Sequence, residues 1–145
     1  MKPYIICHML CSVDGRIDGT ALEAVTGAGE YEAAGAELKG DAWMCGRTTM
    51  QQHFADDELF VSASNRPAGP QPVYVARRAE SYAISVDTIG KLMWSRSDIG
   101  GDHLICVVSE GAPEDYLTML REKGISYIVA GARSVALHYH LWLIP

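Results

Sequence analysis

The chain reads as an α/β domain, a mostly parallel central sheet flanked by helices, and three observations lead there. Apolar runs of strand length recur at Tyr4–Cys11, Ala42–Cys45, Pro72–Ala76, His103–Val108 and Ser126–Ala130. Most lack a polar alternation, as strands covered on both faces do. Segments with helical spacing lie between them, at Tyr31–Leu38, Thr48–His53 and from Ala112 to Gly124, and strands alternating with helices argue for parallel pairing. Several strands also end abruptly in glycine, hydroxyl or charged residues, and the ligand crevice of an open α/β sheet lies at the carboxyl ends of its strands.

The first stretch, Pro3 to Gly19, organises this reading. Tyr4-Ile5-Ile6-Cys7-His8-Met9-Leu10-Cys11 leaves no room for a solvated face, so it is expected in the middle of the sheet. Ser12-Val13-Asp14-Gly15-Arg16 then sets a hydroxyl, a carboxylate, a turn glycine and a cation where that strand leaves the sheet, the expected floor of an active site. Ile17-Asp18-Gly19-Thr20 is a turn and residues 20–28 a loop. In the helix that follows, Tyr31, Ala34, Gly35 and Leu38 keep helical spacing, Glu30 and Glu32 complement the dipole of the first turn, and Gly40 is the stop.

Ala42–Cys45 runs into Gly46-Arg47-Thr48-Thr49 and a short helix from Thr48 to His53. Strand, glycine, then hydroxyls opening a helix is a geometry that presents backbone N–H groups to phosphate. Residues 55–72, rich in Pro and Gly, are a long connection that either rims the site or pads the chain. Pro72–Ala76 ends in Arg77-Arg78, which could hold a phosphate, although as a lone signal a solvated loop is the favoured reading. Tyr82–Val86 and Lys91–Trp94 alternate as short strands, Ile99-Gly100-Gly101-Asp102 turns, and His103–Val108 is a further apolar strand. Ala112-Pro113-Glu114-Asp115 opens a helix. Its apolar side is Tyr116, Leu117, Leu120 and Ile125, with Gly124 as its end, and Ser126–Ala130 is the last clear strand.

Composition narrows the class. A length of 145 residues suits one domain with a real core, and 48% hydrophobic with 21% charged residues is ordinary for a globular protein. The net charge of -6 argues against a nucleic-acid partner but leaves room for an anionic cofactor on a few arginines and backbone N–H groups. No run approaches the ~18 apolar residues of a membrane helix, and no secretory signal is evident, so a cytoplasmic protein without a membrane partner is expected. Cys7, Cys11, Cys45 and Cys106 all fall in apolar runs and are expected as buried free thiols. On a strand, Cys7 and Cys11 would face away from His8, so no metal site is expected.

Taken together, "SVDGRIDG", "MCGRTTM" and "LREKGISYIVAG" resemble the reductase domain of riboflavin biosynthesis, which shares the dihydrofolate-reductase-like fold and uses NADPH. The resemblance covers roughly residues 3 to 133. It implies a reductase acting on a small heterocyclic, pterin- or pyrimidine-like substrate. It implies that Leu10, Cys11 and Ser12 lie near the nicotinamide, that Thr49 with Gly46, Arg47 and Thr48 contacts the cofactor, and that Arg77 or Arg78 meets its adenosine-phosphate end. His53 falls where the riboflavin enzymes have an aspartate. Hydride would pass from nicotinamide C4 to an imine or carbonyl. The proton would come from solvent or from an acid, with Asp14 best placed by sequence ahead of Glu30 and Glu32. Asp14-Gly15 is equally a turn dipeptide.

Where that family continues with a helix, a strand and a glycine triplet around the cofactor pyrophosphate, this chain has Ser134–Pro145, apolar and without Asp, Glu, Lys or Arg. A chain cut short is therefore expected, with residues 1–133 as the reductase domain and 134–145 as an atypical tail. His138 and His140 lack a third ligand and are read as incidental. An exposed apolar tail favours a homodimer. The family's deaminase half is absent, so any activity would be reduction alone. The alternative is a non-catalytic relative that binds nucleotide weakly or not at all and is completed by dimerisation.

Overall fold

The computed structural model describes residues 3–17, 28–64 and 66–132. The expected turn and loop over 18–27 and the tail, with His138 and His140, lie outside the described residues. The chain divides into two units, Met1–Gly40 and Asp41–Pro145.

In the first unit, α1 spans Ala28–Glu37 with Glu30 in its first turn. Among its described side chains only Tyr31 and Gly35, one turn apart, are half-buried. The His8 ring stacks on Tyr31 with centroids 4.2 Å apart, and its Nε2 lies 2.9 Å from the Tyr31 carbonyl. A Cβ on Gly35 would come within 3.3 Å of that nitrogen, so the glycine makes room for the ring. The left-handed residue after the helix is Lys39, at φ 47°, and not the expected stop Gly40.

The expected first strand is overturned. No residue from Pro3 to Ile17 is in a strand, and Tyr4, Ile5, Ile6 and Met9 are exposed. An apolar run becomes a strand only where a neighbour supplies its ladder, and this segment's described backbone-to-backbone bonds are local. Gly15 N–H donates to the Ser12 carbonyl and Ser12 N–H to the Arg16 carbonyl, each at 2.9 Å. With Gly15 at φ 82°, this is a tight turn followed by a left-handed glycine.

The second unit carries a mixed five-stranded sheet: β1 (Ala42–Gly46), β2 (Tyr82–Val86), β3 (Asp98–Ile99), β4 (Asp102–Val108) and β5 (Ser126–Val129). Its described residues also form helices α2 (Arg47–His53) and α3 (Glu114–Glu122). β1 pairs with β2, β2 with β4 and β4 with β5, all parallel, while β3 pairs antiparallel with β4. The sheet is thus mixed where a mostly parallel one was expected. The cause is local: Gly100 at φ 63° and Gly101 at φ 103° form a two-residue loop, which returns the chain antiparallel. Isolated antiparallel bridges join Leu59 to Leu92 and Tyr74 to Tyr127, so 72–76 and 91–94 contribute one pair each and not strands.

His103–Val108 is buried throughout, which explains its unbroken apolar run. Leu104, Cys106 and Val108 join Ala83, Tyr116, Leu117, Leu120 and Met50 in one core. Ile105 and Val107 join Ile128 and Ala130 on the opposite face. Tyr116 also closes over the turn that follows β2, where Gly90 stands at φ 65° and a Cβ would meet the Tyr116 ring at 2.8 Å. Gly90→Ala is therefore expected to destabilise the protein by about 2 kcal/mol or more, from overpacking and left-handed strain together. Gly100→Ala, with open space around it, should lose only about 1 kcal/mol. Urea unfolding midpoints check the difference.

Candidate functional site

Parallel pairing aligns Gly46, Val86, Val107 and Ile128 across four strands. The residues that follow them therefore share the carboxyl edge of the sheet. That edge is knitted by its own backbone: Ser109 N–H and Oγ both donate to the Thr88 carbonyl, at 3.0 and 2.7 Å, and Glu110 N–H donates to the Gly131 carbonyl at 3.0 Å. Gly46 is extended (φ −75°, ψ 166°) and leads into α2 with no side-chain cap on the helix. Open space surrounds its Cα, and Arg47, Thr48 and Thr49 are exposed. The corner thus offers backbone N–H groups, two hydroxyls and a guanidinium without a bulky side chain in front of them, donors suited to an anion.

Asp87 anchors the same edge from inside. The fully buried carboxylate accepts at Oδ2 from Lys91 N–H (2.6 Å), Leu92 N–H (2.8 Å) and the Tyr116 hydroxyl (3.3 Å). Around it, Asp87 Oδ1, Ser85 Oγ and Trp94 Nε1 are buried without a hydrogen bond. Burial, and then the Asp87 charge, push the Cys106 thiol far above its ordinary value, and burial raises Cys45 as well. Neither is the thiolate that nucleophilic or metal chemistry needs. Sequence reasoning passed over Asp87, although an Asp after a strand with Gly three residues on is a turn signal.

The amino edge is tied up differently. Trp43 Nε1 donates to Asp102 Oδ2 at 2.7 Å, and Ser81 Oγ donates to the other carboxylate oxygen. Arg77 Nε donates to Nδ1 of the buried His103 at 3.1 Å. His103 stands in register with Tyr82 at the start of β2, whereas Gly46 stands in register with Val86 at its end. Four strand residues at about 3.3 Å each therefore separate the level of Arg77 from that of the Gly46 corner. A cleft of about 170 Å³ lies near His53, Phe54, Trp94 and Arg96. Arg96 lies 3.5 Å from Asp98 in an ion pair, and Ser95 Oγ donates to an Asp56 carboxylate oxygen at 2.8 Å.

In the first unit, Leu10 and Cys11 are exposed and Ser12 is half-buried. Ser12 Oγ donates to Asp14 Oδ1, and Arg16 Nε lies 3.2 Å from Asp14 Oδ2. These are the contacts of a turn that ties down its own carboxylate. Glu30 and Glu32 are exposed on α1. Cys7 and Cys11 are exposed as well, against the expectation of four buried thiols.

Among the described residues no group of three or more His, Cys, Asp or Glu is arranged to hold a metal, and no helix is long and apolar enough to cross a membrane. Compared with known proteins, the chain matches no family model, no curated protein and no solved structure.

The cysteines give a direct check of this environment. In the folded protein, timed alkylation read by mass spectrometry is expected to modify Cys7 and Cys11 first and Cys45 more slowly, with Cys106 modified only after denaturation. Early labelling of Cys106 would contradict the closed core beneath Asp87.

Proposed function

We propose that the chain is a nucleotide-binding protein of the reductase type, with the Gly46–Thr49 corner receiving the phosphates of NADPH. The observation that carries the proposal is the uncapped start of α2 after an extended glycine, at the carboxyl edge of parallel strands. Such edges are where open α/β sheets bind ligands, and phosphate suits N–H groups left unpaired by the backbone. The choice of NADPH and of hydride transfer rests on the resemblance of "SVDGRIDG", "MCGRTTM" and "LREKGISYIVAG" to the riboflavin-pathway reductases. A small heterocyclic substrate of pterin or pyrimidine type follows from the same resemblance.

In this reading the protein's own residues bind and orient. Thr48 and Thr49 supply hydroxyl donors, Arg47 supplies a cation, and Gly46 lets a phosphate approach the backbone closely. Bound NADPH supplies the hydride. Solvent is the simplest proton source, because Asp14 already engages Ser12 and Arg16. Those same contacts favour the second reading, a non-catalytic relative that holds a nucleotide without turning it over and is completed by pairing with another copy.

Titrating the purified chain with NADPH, followed by tryptophan fluorescence, tests the proposal. Micromolar binding that prefers NADPH to NADH is expected, with Thr49→Asp weakening it at least tenfold by placing a carboxylate against the phosphates, about 1.4 kcal/mol or more. Absence of binding at millimolar cofactor, or unchanged binding by the variant, would overturn it. Binding without consumption of NADPH across a panel of pterin- and pyrimidine-type substrates would favour the non-catalytic reading.

A further inference from the structure

His103 is the one histidine among the described residues whose ring is fully buried, and both of its nitrogens are engaged. An arginine N–H can only donate, so the 3.1 Å contact from Arg77 Nε requires a bare Nδ1. The proton of the neutral ring is therefore on Nε2, which donates to Ser126 Oγ at 2.8 Å. Ser126 Oγ accepts in turn from Ala76 N–H at 3.0 Å. Two contacts of the extended segment 72–79 thus run through one imidazole and the serine behind it.

The rest of that segment's attachment lies at Tyr74, half-buried against the main core, and at Ala79. Tyr74 exchanges two backbone hydrogen bonds with Tyr127 of β5, each 3.0 Å, and their rings stack at 5.3 Å. Ala79 N–H reaches the Tyr82 hydroxyl at 3.0 Å. Val73 and Val75 face outward and are exposed. The segment therefore lies as a strap along the β5 side that β4 does not occupy, covering a sheet edge at Tyr127.

We infer that Arg77, His103 and Ser126 form a pH-sensitive latch, and that protonation of His103 releases the 72–79 strap from the edge of β5. A proton on Nδ1 would set one donor against another, Nδ1–H against Arg77 Nε–H, and two cations about one hydrogen-bond length apart. The groups around the ring offset this only in part, through the Ser97 carbonyl and Asp98. Tyr82 of β2 packs edge-on at 6.1 Å and Ser126 of β5 is neutral. Asp98 of β3, paired in register with His103, is the one carboxylate acting on it from a neighbouring element.

Burial first, and then the Arg77 cation, hold His103 below the ordinary histidine value, while the Ser97 carbonyl and Asp98 pull it back in part. The latched ring is therefore neutral where an unlatched, hydrated ring would take up a proton. The open form binds more protons once the pH drops below about 6.5, so the latch is fully closed above that pH and loosens as the pH falls. Release bares a strand edge, the kind of surface that recruits another chain.

Amide hydrogen exchange resolved by residue tests the latch in the full chain. Between pH 7.5 and pH 5, protection factors at Tyr74, Ala76 and Ala79 are expected to fall by up to about tenfold per pH unit below 6.5, while those of Ile105 and Val107 in β4 hold. His103→Asn, whose side-chain oxygen can still accept from Arg77 but does not titrate, should remove the pH dependence. Arg77→Met changes an exposed residue and leaves the buried ring intact. It is expected to lower protection at Ala76 already at pH 7.5. The latch is overturned if strap protection is pH-independent, if it falls together with β4, if the fall persists in His103→Asn, or if Ala76 keeps its full protection in Arg77→Met.

Discussion

A strand buried on every side must find a partner for each backbone N–H and C=O it carries, because an orphaned amide away from water costs as much as a lost hydrogen bond. β4 is under that constraint from His103 to Val108. It meets it with three neighbours, β2 along one side and, on the other, β3 near its start and β5 near its end. The two apolar faces follow from the same burial, since alternate residues of β4 serve opposite cores. The tight Gly100-Gly101 loop follows too: it brings β3 back to the stretch of β4 that β5 does not reach.

The two ends of this sheet are finished in opposite ways. At the amino edge Asp102 is held by Trp43 and Ser81, and His103 by Arg77 and Ser126. At the carboxyl edge the buried Asp87 holds the turn after β2, while the Gly46–Thr49 corner is left uncapped and open. Groups already paired have little to offer a ligand. Unpaired N–H groups and hydroxyls do, which is why the proposed function rests on that corner.

Legibility in the sequence followed sequence separation. β1, β2, β4, β5 and the three described helices were readable because apolar runs, helical spacing and flanking turn or acidic residues sit within a few positions of one another. Pro113-Glu114-Asp115 opening α3 is one example, and Gly100-Gly101 as a turn is another. The run Tyr4–Cys11 misled because apolarity reports a wish for burial and not the presence of a neighbouring strand. Pro72–Ala76 misled in a milder way, having strand composition but only one paired residue at the edge of a four-residue β5. His103 and Ser126 are 23 residues apart and Asp87 and Tyr116 are 29 apart. No local pattern announces such pairs.

The division of labour between the two edges is the central claim, and amide spectra of the labelled chain during titration with NADPH test it most directly. Chemical-shift changes centred on Gly46, Arg47, Thr48 and Thr49, with Ala76, Arg77 and Arg78 unmoved, are the expected result. Changes centred on Arg77 and Arg78 with a silent Gly46 corner would contradict the account, and so would a titration that moves neither.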